Sequence, residues 1–191
     1  MKKSRKAFTL VELLIVIVVI GILAGMMLFS GAEAAKSAEA AKITGNLTQL
    51  KKAFHLWYLN NHDMVVKKSM GSYNEYFIRT NKGDIYPSKF IKDSSGEITK
   101  YITTGSSIKL KDKSSSKEGD YAVVALNHSK EWYVCYNLGD KDSLLKKKIA
   151  ARQGSSQLIG TNNLNLSGSN TISTPYKNHK FVCTLMLKLP D

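Results

Sequence analysis

The chain has 191 residues and a formal net charge of +13, from 28 Lys and Arg against 15 Asp and Glu. With an anchor set aside, that length suits one soluble domain and leaves little room for a two-domain enzyme. Its four histidines (His55, His62, His128 and His179) show no zinc spacing, and no phosphate-binding loop, dinucleotide fingerprint or Gly-x-Ser-x-Gly elbow is present. The chain is therefore expected to be no enzyme and to need no cofactor.

The first element is a basic leader (Lys2, Lys3, Arg5, Lys6), the small residue Ala7, and an apolar run from Phe8 to Phe29. As a helix these 22 residues rise about 33 Å, enough to cross a hydrocarbon core of about 30 Å. One acid, Glu12, interrupts the run. A lone charge in hydrocarbon costs roughly 2.5–3.5 kcal/mol on insertion scales, so Glu12 needs a neutralising partner. Cations flanking an apolar helix hold that end in the cytoplasm, which sends the rest of the chain across the membrane.

Read as Lys6-Ala7-Phe8-Thr9-Leu10-Val11-Glu12-Leu13 and the apolar residues through Ala24, this segment resembles the class III leader and first helix of type IV pilins and pseudopilins. The resemblance covers about the first fifty residues. It implies cleavage between Ala7 and Phe8 by a prepilin peptidase, methylation of the new Phe8 amine, and retention of the apolar helix. It also implies that Glu12 pairs with the Phe8 amine of a neighbouring subunit and so sets register in a filament, because a misregistered pair would leave two buried charges without partners. The family usually has glycine before the cut where this chain has Ala7, and many members have a kinking proline where it has Phe29. Loss of the four leader cations takes the net charge from +13 to +9.

Beyond Phe29 the helical pattern continues. Residues 32–42 are rich in alanine, with Glu33/Lys36 and Glu39/Lys42 three apart, as in a solvated helix. Ile43, Leu47, Leu50, Phe54 and Trp57 then recur at four, three, four and three residues, one apolar stripe that meets a core. Asn60-Asn61-His62-Asp63 supplies the stop, giving a helix of about 80 Å. Gly45 interrupts it as a bend or a close contact. From Met64 to Gly119 short β-like pieces, Tyr73 to Arg79 and Ile98 to Thr103, lie in a connecting region. Lys111 to Gly119 reads as an exposed loop.

Tyr121–Leu126 and Trp132–Tyr136 form a predicted antiparallel hairpin, and Lys180–Leu187 returns to the same sheet, aligning Cys135 with Cys183. In an exported domain such a pair is most simply a disulfide, as pilins often have, the alternative being two buried free thiols. Leu144 to Arg152 is a short predicted helix, and Arg152 to Asn178 a long surface loop. The expected fold is α+β and type IV pilin-like, a long N-terminal helix packed on a small antiparallel sheet. Its expected parts are a leader (1–7), a transmembrane and assembly helix (8–29), an amphipathic continuation (30–60) and an extracytoplasmic head (61–191).

Remaining motifs are weak. Ser143–Lys146 and Ser114–Lys117 match Ser-x-x-Lys by chance in a chain rich in both residues, and the acids of Asp140-Lys141-Asp142 lack the rest of a calcium loop, so no metal is expected. Lys109, Lys111 and Lys113, and Lys146, Lys147, Lys148 with Arg152, form basic clusters, with Tyr73, Tyr76, Tyr101 and Tyr136 as nearby aromatic surface. The first functional reading is a structural pilus or pseudopilus subunit, stored in the cytoplasmic membrane with its N-terminus inside. Its expected partners are the peptidase, sister subunits and an assembly platform, and its destination is a surface pilus or a periplasmic pseudopilus. The second is a minor pilin of a DNA-uptake pilus, whose basic clusters bind phosphates without sequence preference.

Overall fold

The computed structural model describes residues 8–93, 98, 100–101, 108, 110–126, 128–140, 142–153, 157–164, 176–177 and 179–190. The leader and Ala7 lie outside them, as do Lys109 and residues 165–175. Helix α1, Leu10–Asn60, is a single element of 51 residues, about 77 Å long. It ends where Asn61 turns back, its side-chain amide donating to the Trp57 carbonyl at 2.8 Å. Strands β1 (Val65–Ser69), β2 (Asn74–Thr80) and β3 (Gly83–Ile85) follow, then α2 (Pro87–Asp93), β4 (Leu110–Asp112), β5 (Tyr121–Leu126), β6 (Glu131–Asn137), α3 (Ser143–Ala150), β7 (Ile159–Thr161) and β8 (Phe181–Lys188). The fold is α+β and pilin-like: a long N-terminal helix followed by antiparallel sheet.

The described residues form two sheets rather than one. β1-β2-β3 is an antiparallel meander, and the larger sheet runs β4-β5-β6-β8-β7, antiparallel except for β4, which pairs parallel with β5. The hairpin predicted over 121–136 is present, with Ala122 opposite Cys135, and β6 pairs β8 with Cys135 opposite Cys183. Those strands read as nearly continuous apolar runs because both faces of the larger sheet are buried. Val123, Trp132, Val134 and Val182 face the α1 stripe, while Ala122, Val124, Tyr133, Cys135 and Cys183 form a second, smaller cluster. An irregularity between Trp132 and Tyr133 shifts the register with β8, and beyond it Met186, Leu187 and Leu189 join the α1-facing core.

The stripe on α1 is the spine of that core. Ile43, Leu47, Leu50, Phe54 and Trp57 are all at most 3% exposed. Phe54 meets Trp132 edge-on at 5.1 Å between ring centres, and Trp57 meets Phe90 of α2 at 5.3 Å. Each such side chain contributes about 1.5–3 kcal/mol by leaving water.

Several expectations change. The region between Met64 and Gly119 is not a mere connection, since Tyr76 and Ile78 of β2 enter the main core. Ile98 is helical and Tyr101 lies in a turn whose amide donates to the Ile98 carbonyl, so no strand forms at those residues; Thr103 lies outside the described residues. Lys111 belongs to β4 rather than to a loop. The stretch after Arg152 is not simply surface: β7 adds to β8, and Leu158, Leu164 and Tyr176 are buried, Tyr176 completely. Tyr76 is likewise a core residue, at 6% exposure, and not aromatic surface. At Gly45 an added methyl would meet nothing within 4 Å, so no close contact explains that glycine.

Candidate functional site

The site is the N-terminal half of α1 and its joint with the head. Thr9 sits at the helix N-cap, and Thr9-Leu10-Val11-Glu12 closes a capping box. The Thr9 hydroxyl accepts from the Glu12 amide at 3.3 Å, while Glu12 Oε2 accepts from both the Thr9 amide and the Thr9 hydroxyl at 2.8 Å. Two amides without intrahelical partners are thereby satisfied, and the acid meets the positive end of the helix dipole. Both bonds land on a single carboxylate oxygen. Thr9 escaped notice as a partner of Glu12, although the Thr-x-x-Glu spacing before an apolar run is a legible helix-start signal.

Among the described residues nothing covers the helix around this box. Phe8 is 81% exposed, and Leu10, Leu13, Ile17 and Ile20 are each between 58% and 80% exposed. Apolar residues occupy every side, so no face is set aside for water. A helix apolar all round belongs in a protein core or in lipid. By length and composition it can cross a membrane, and none of that N-terminal window is buried by the other described residues. The single apolar helix suggests membrane anchoring.

The head takes hold of α1 from Lys36 onward, where exposure falls, and α3 is the element at that joint. Asp142 caps α3 by accepting from the Leu145 amide at 2.8 Å and pairs with Lys36 at 2.6 Å. Lys36 also reaches Glu39 at 2.9 Å. The Lys36 ammonium holds the Asp142 carboxyl below the usual carboxylate range, with the Leu145 amide adding to the effect. Lys148 reaches Glu33 at 3.5 Å, and Arg152 donates to the hydroxyl and carbonyl of Ser37 at 3.3 and 3.4 Å.

Those contacts show where the basic residues lie. Lys146 is buried at 6% exposure, Lys147 is exposed, and Lys148 and Arg152 turn toward α1. Lys111 pairs with Asp120 at 2.8 Å, which keeps the Asp120 carboxyl low. Lys113 follows β4 in a single tight turn, and Lys109 falls outside the described residues. The structure thus places Lys111 apart from the α3 group, on the other side of the β5–β6 hairpin in sequence and bound to a different acid. Asp140 and Asp142 do not converge: Asp140 pairs with Lys180 at 3.0 Å, Asp142 with Lys36.

Cys135 and Cys183 form a disulfide between facing positions of β6 and β8, and both are fully buried in the second cluster. Tyr121 closes the other side of the sheet, its hydroxyl accepting from Asn46 of α1 at 2.9 Å, with burial pushing its ionisation up to about 12.

Comparison with known proteins locates the family signal in this same N-terminal region. No curated protein and no solved structure matches the chain. Residues 2–28 match the family model described as the prokaryotic N-terminal methylation motif, the span that holds the Thr9–Glu12 box and most of the uncovered helix. Residues 2–28 therefore carry the class III prepilin leader motif of type IV pilins and pseudopilins, and that motif supports a pilin-like or pseudopilin-like prepilin.

Proposed function

We propose that this chain is a structural subunit of a type IV pilus or of a secretion pseudopilus. A prepilin peptidase cuts between Ala7 and Phe8, the Phe8 amine is methylated, and residues 8–29 hold the subunit in the cytoplasmic membrane with that end inside. Assembly by a dedicated platform then moves the helix from lipid into a bundle of sister helices. The observation that carries this reading is the continuity of the methylation motif with a helix whose apolar side chains the head leaves uncovered. Lipid and sister helices are the two environments that accept such a surface.

Glu12 acts at the exchange between them. In the single subunit its charge is shared with Thr9 through bonds to Oε2, which lowers the cost of holding a carboxylate at membrane depth. The methylated Phe8 amine of a neighbour supplies a full opposite charge, and in a low dielectric that pair is strong only when the helices are in register.

Changing Glu12 to Ala is the test. The variant is expected to enter the membrane and to be cut, as read by mass spectrometry of its N-terminus, yet to form no filaments. Normal filaments from Glu12→Ala would overturn the register role. An uncut Met1 terminus in cells with an active prepilin peptidase would overturn the prepilin reading itself.

A further inference from the structure

We infer that α3 is a membrane-contact element: its basic outer face rests on anionic phospholipid headgroups while α1 is held in the bilayer. The inference rests on the anchoring reading above, and it concerns a surface outside the methylation motif. The geometry begins with the length of α1. If Phe29 marks the end of the apolar span, Glu33 lies four residues farther on, a rise of about 6 Å. The headgroup layer on each side of the hydrocarbon is about 5–8 Å thick. Glu33 therefore stands at the outer edge of that layer, and Lys148 of α3 is bonded to it at 3.5 Å.

The orientation of α3 follows from the same contact. Its buried side carries Leu145 and Ile149, at 4% and 0% exposure. Leu144, Lys147, Lys148 and Ala151 recur at three- and four-residue spacing on another side, with Lys147 and Ala151 exposed and Leu144 half-buried. Lys148 belongs to that side and reaches down α1 to Glu33, whereas Asp142 and Arg152 meet α1 higher up, at Lys36 and Ser37. The Leu144/Lys147/Lys148 side of α3 thus faces the membrane end of α1.

Charge identifies the occupant. The side of α3 turned toward the membrane end of α1 carries two cations, Lys147 and Lys148, against one acid, Glu33, a net +1 at the edge of the headgroups. Cations on flexible stems beside a leucine suit an interface where phosphates lie above acyl chains. A phosphate polymer such as duplex DNA would have to approach this same face from the side the membrane occupies. The contact would last only while the subunit is stored, since lifting α1 into a filament withdraws α3 from the lipid.

The experiment uses the full chain in nanodiscs of phosphatidylcholine alone or of phosphatidylcholine and phosphatidylglycerol in equal parts. Amide hydrogen exchange is read separately over Leu10–Met27 and over Ser143–Ala150. The α3 amides are expected to exchange about fivefold more slowly in the anionic discs, an effect that falls with added salt. Lys147→Glu should remove the difference, and Lys82→Glu, in the β2–β3 turn, should not. Slow exchange over Leu10–Met27 with equal α3 exchange in both lipids would overturn the inference and leave the anchoring reading standing. Fast exchange over Leu10–Met27 in both would overturn anchoring, and the inference with it. Duplex binding to the phosphatidylcholine discs that is lost with Lys147→Glu would assign the surface to nucleic acid instead.

Discussion

Both halves of α1 carry large apolar side chains, and these have opposite surroundings. Ile43, Leu47, Leu50, Phe54 and Trp57 form one stripe and are at most 3% exposed, whereas Leu13, Ile17 and Ile20 belong to a surface apolar on every side and are 58–62% exposed. A stripe can be satisfied by one partner surface, and the head supplies it. A helix apolar all round needs a surrounding medium, which a head of this size packed on one side cannot provide. The halves should therefore be separable: damage to the head ought not to change what the N-terminal half does, and the reverse.

The disulfide tests this most strongly. Closing a loop across a sequence separation of 48 contributes about 4 kcal/mol on the chain-entropy view. Cys183→Ser in full chain held in detergent is expected to lower the guanidinium midpoint of the head steeply, read by the emission of buried Trp57 and Trp132. Insertion of Leu10–Met27 into membranes should be unchanged. Failure to insert would show that the halves are coupled.

A pair of truncations within α1 sharpens the contrast. Leu50→Ala empties a fully enclosed site and should cost the head about 2–5 kcal/mol. Ile17→Ala, on the uncovered half, should change head stability by less than about 0.5 kcal/mol. Equal costs in the same denaturation assay would mean that the head packs against the N-terminal half in solution.

A smaller effect than the loss of Leu50 lies at the joint. Asp142→Asn keeps a capping side chain on α3 and removes the charge that meets Lys36, at an expected cost of about 0.5–1 kcal/mol, since Lys36 is 35% exposed and solvent screens the pair. The sign with pH is fixed by the lowered carboxyl. Because Asp142 ionises below its usual value of 3.8 when folded, its contribution is complete above that value and is lost as pH falls through the folded one. The difference between Asp142→Asn and the unaltered chain should therefore shrink as pH falls below the usual carboxylate value of 3.8. A difference that grew on acidification would remove the ion pair from the account.

Much of this was legible along the chain. The apolar run with Glu12 near its start, the stripe ending before Asn60-Asn61, and the strands around Cys135 and Cys183 each repeat with a period that local chemistry imposes. The elements that escaped are short or owe their form to distant partners. β3 and β7 are three residues each, and β7 lies in a Gly- and Asn-rich stretch where pairing with β8 alone makes it a strand. Ile98 sits in what reads as a β-like piece yet is helical.

Among the candidate site residues, the N-terminal ones were readable because they form a contiguous motif, and Thr9 could have been read with them. The lysines were not. Lys146, Lys147 and Lys148 are adjacent and chemically identical, but a helix sends successive side chains about 100° apart. Docking of Leu145 and Ile149 on the core then buries Lys146, exposes Lys147 and turns Lys148 to Glu33.

Sequence by itself determined that this protein carries a prepilin leader motif and a helix that must leave water, because an uninterrupted apolar run and a single acid near its start state their requirements locally. It also determined which residues of α1 form the stripe that enters the head. Only the tertiary structure decided which cation meets which acid, that α3 rather than the sheet grips α1 nearest its apolar half, and that the sheet buries both faces. Those outcomes depend on pairings between residues more than a hundred positions apart, such as Glu33 with Lys148 and Lys36 with Asp142, and no local period encodes them.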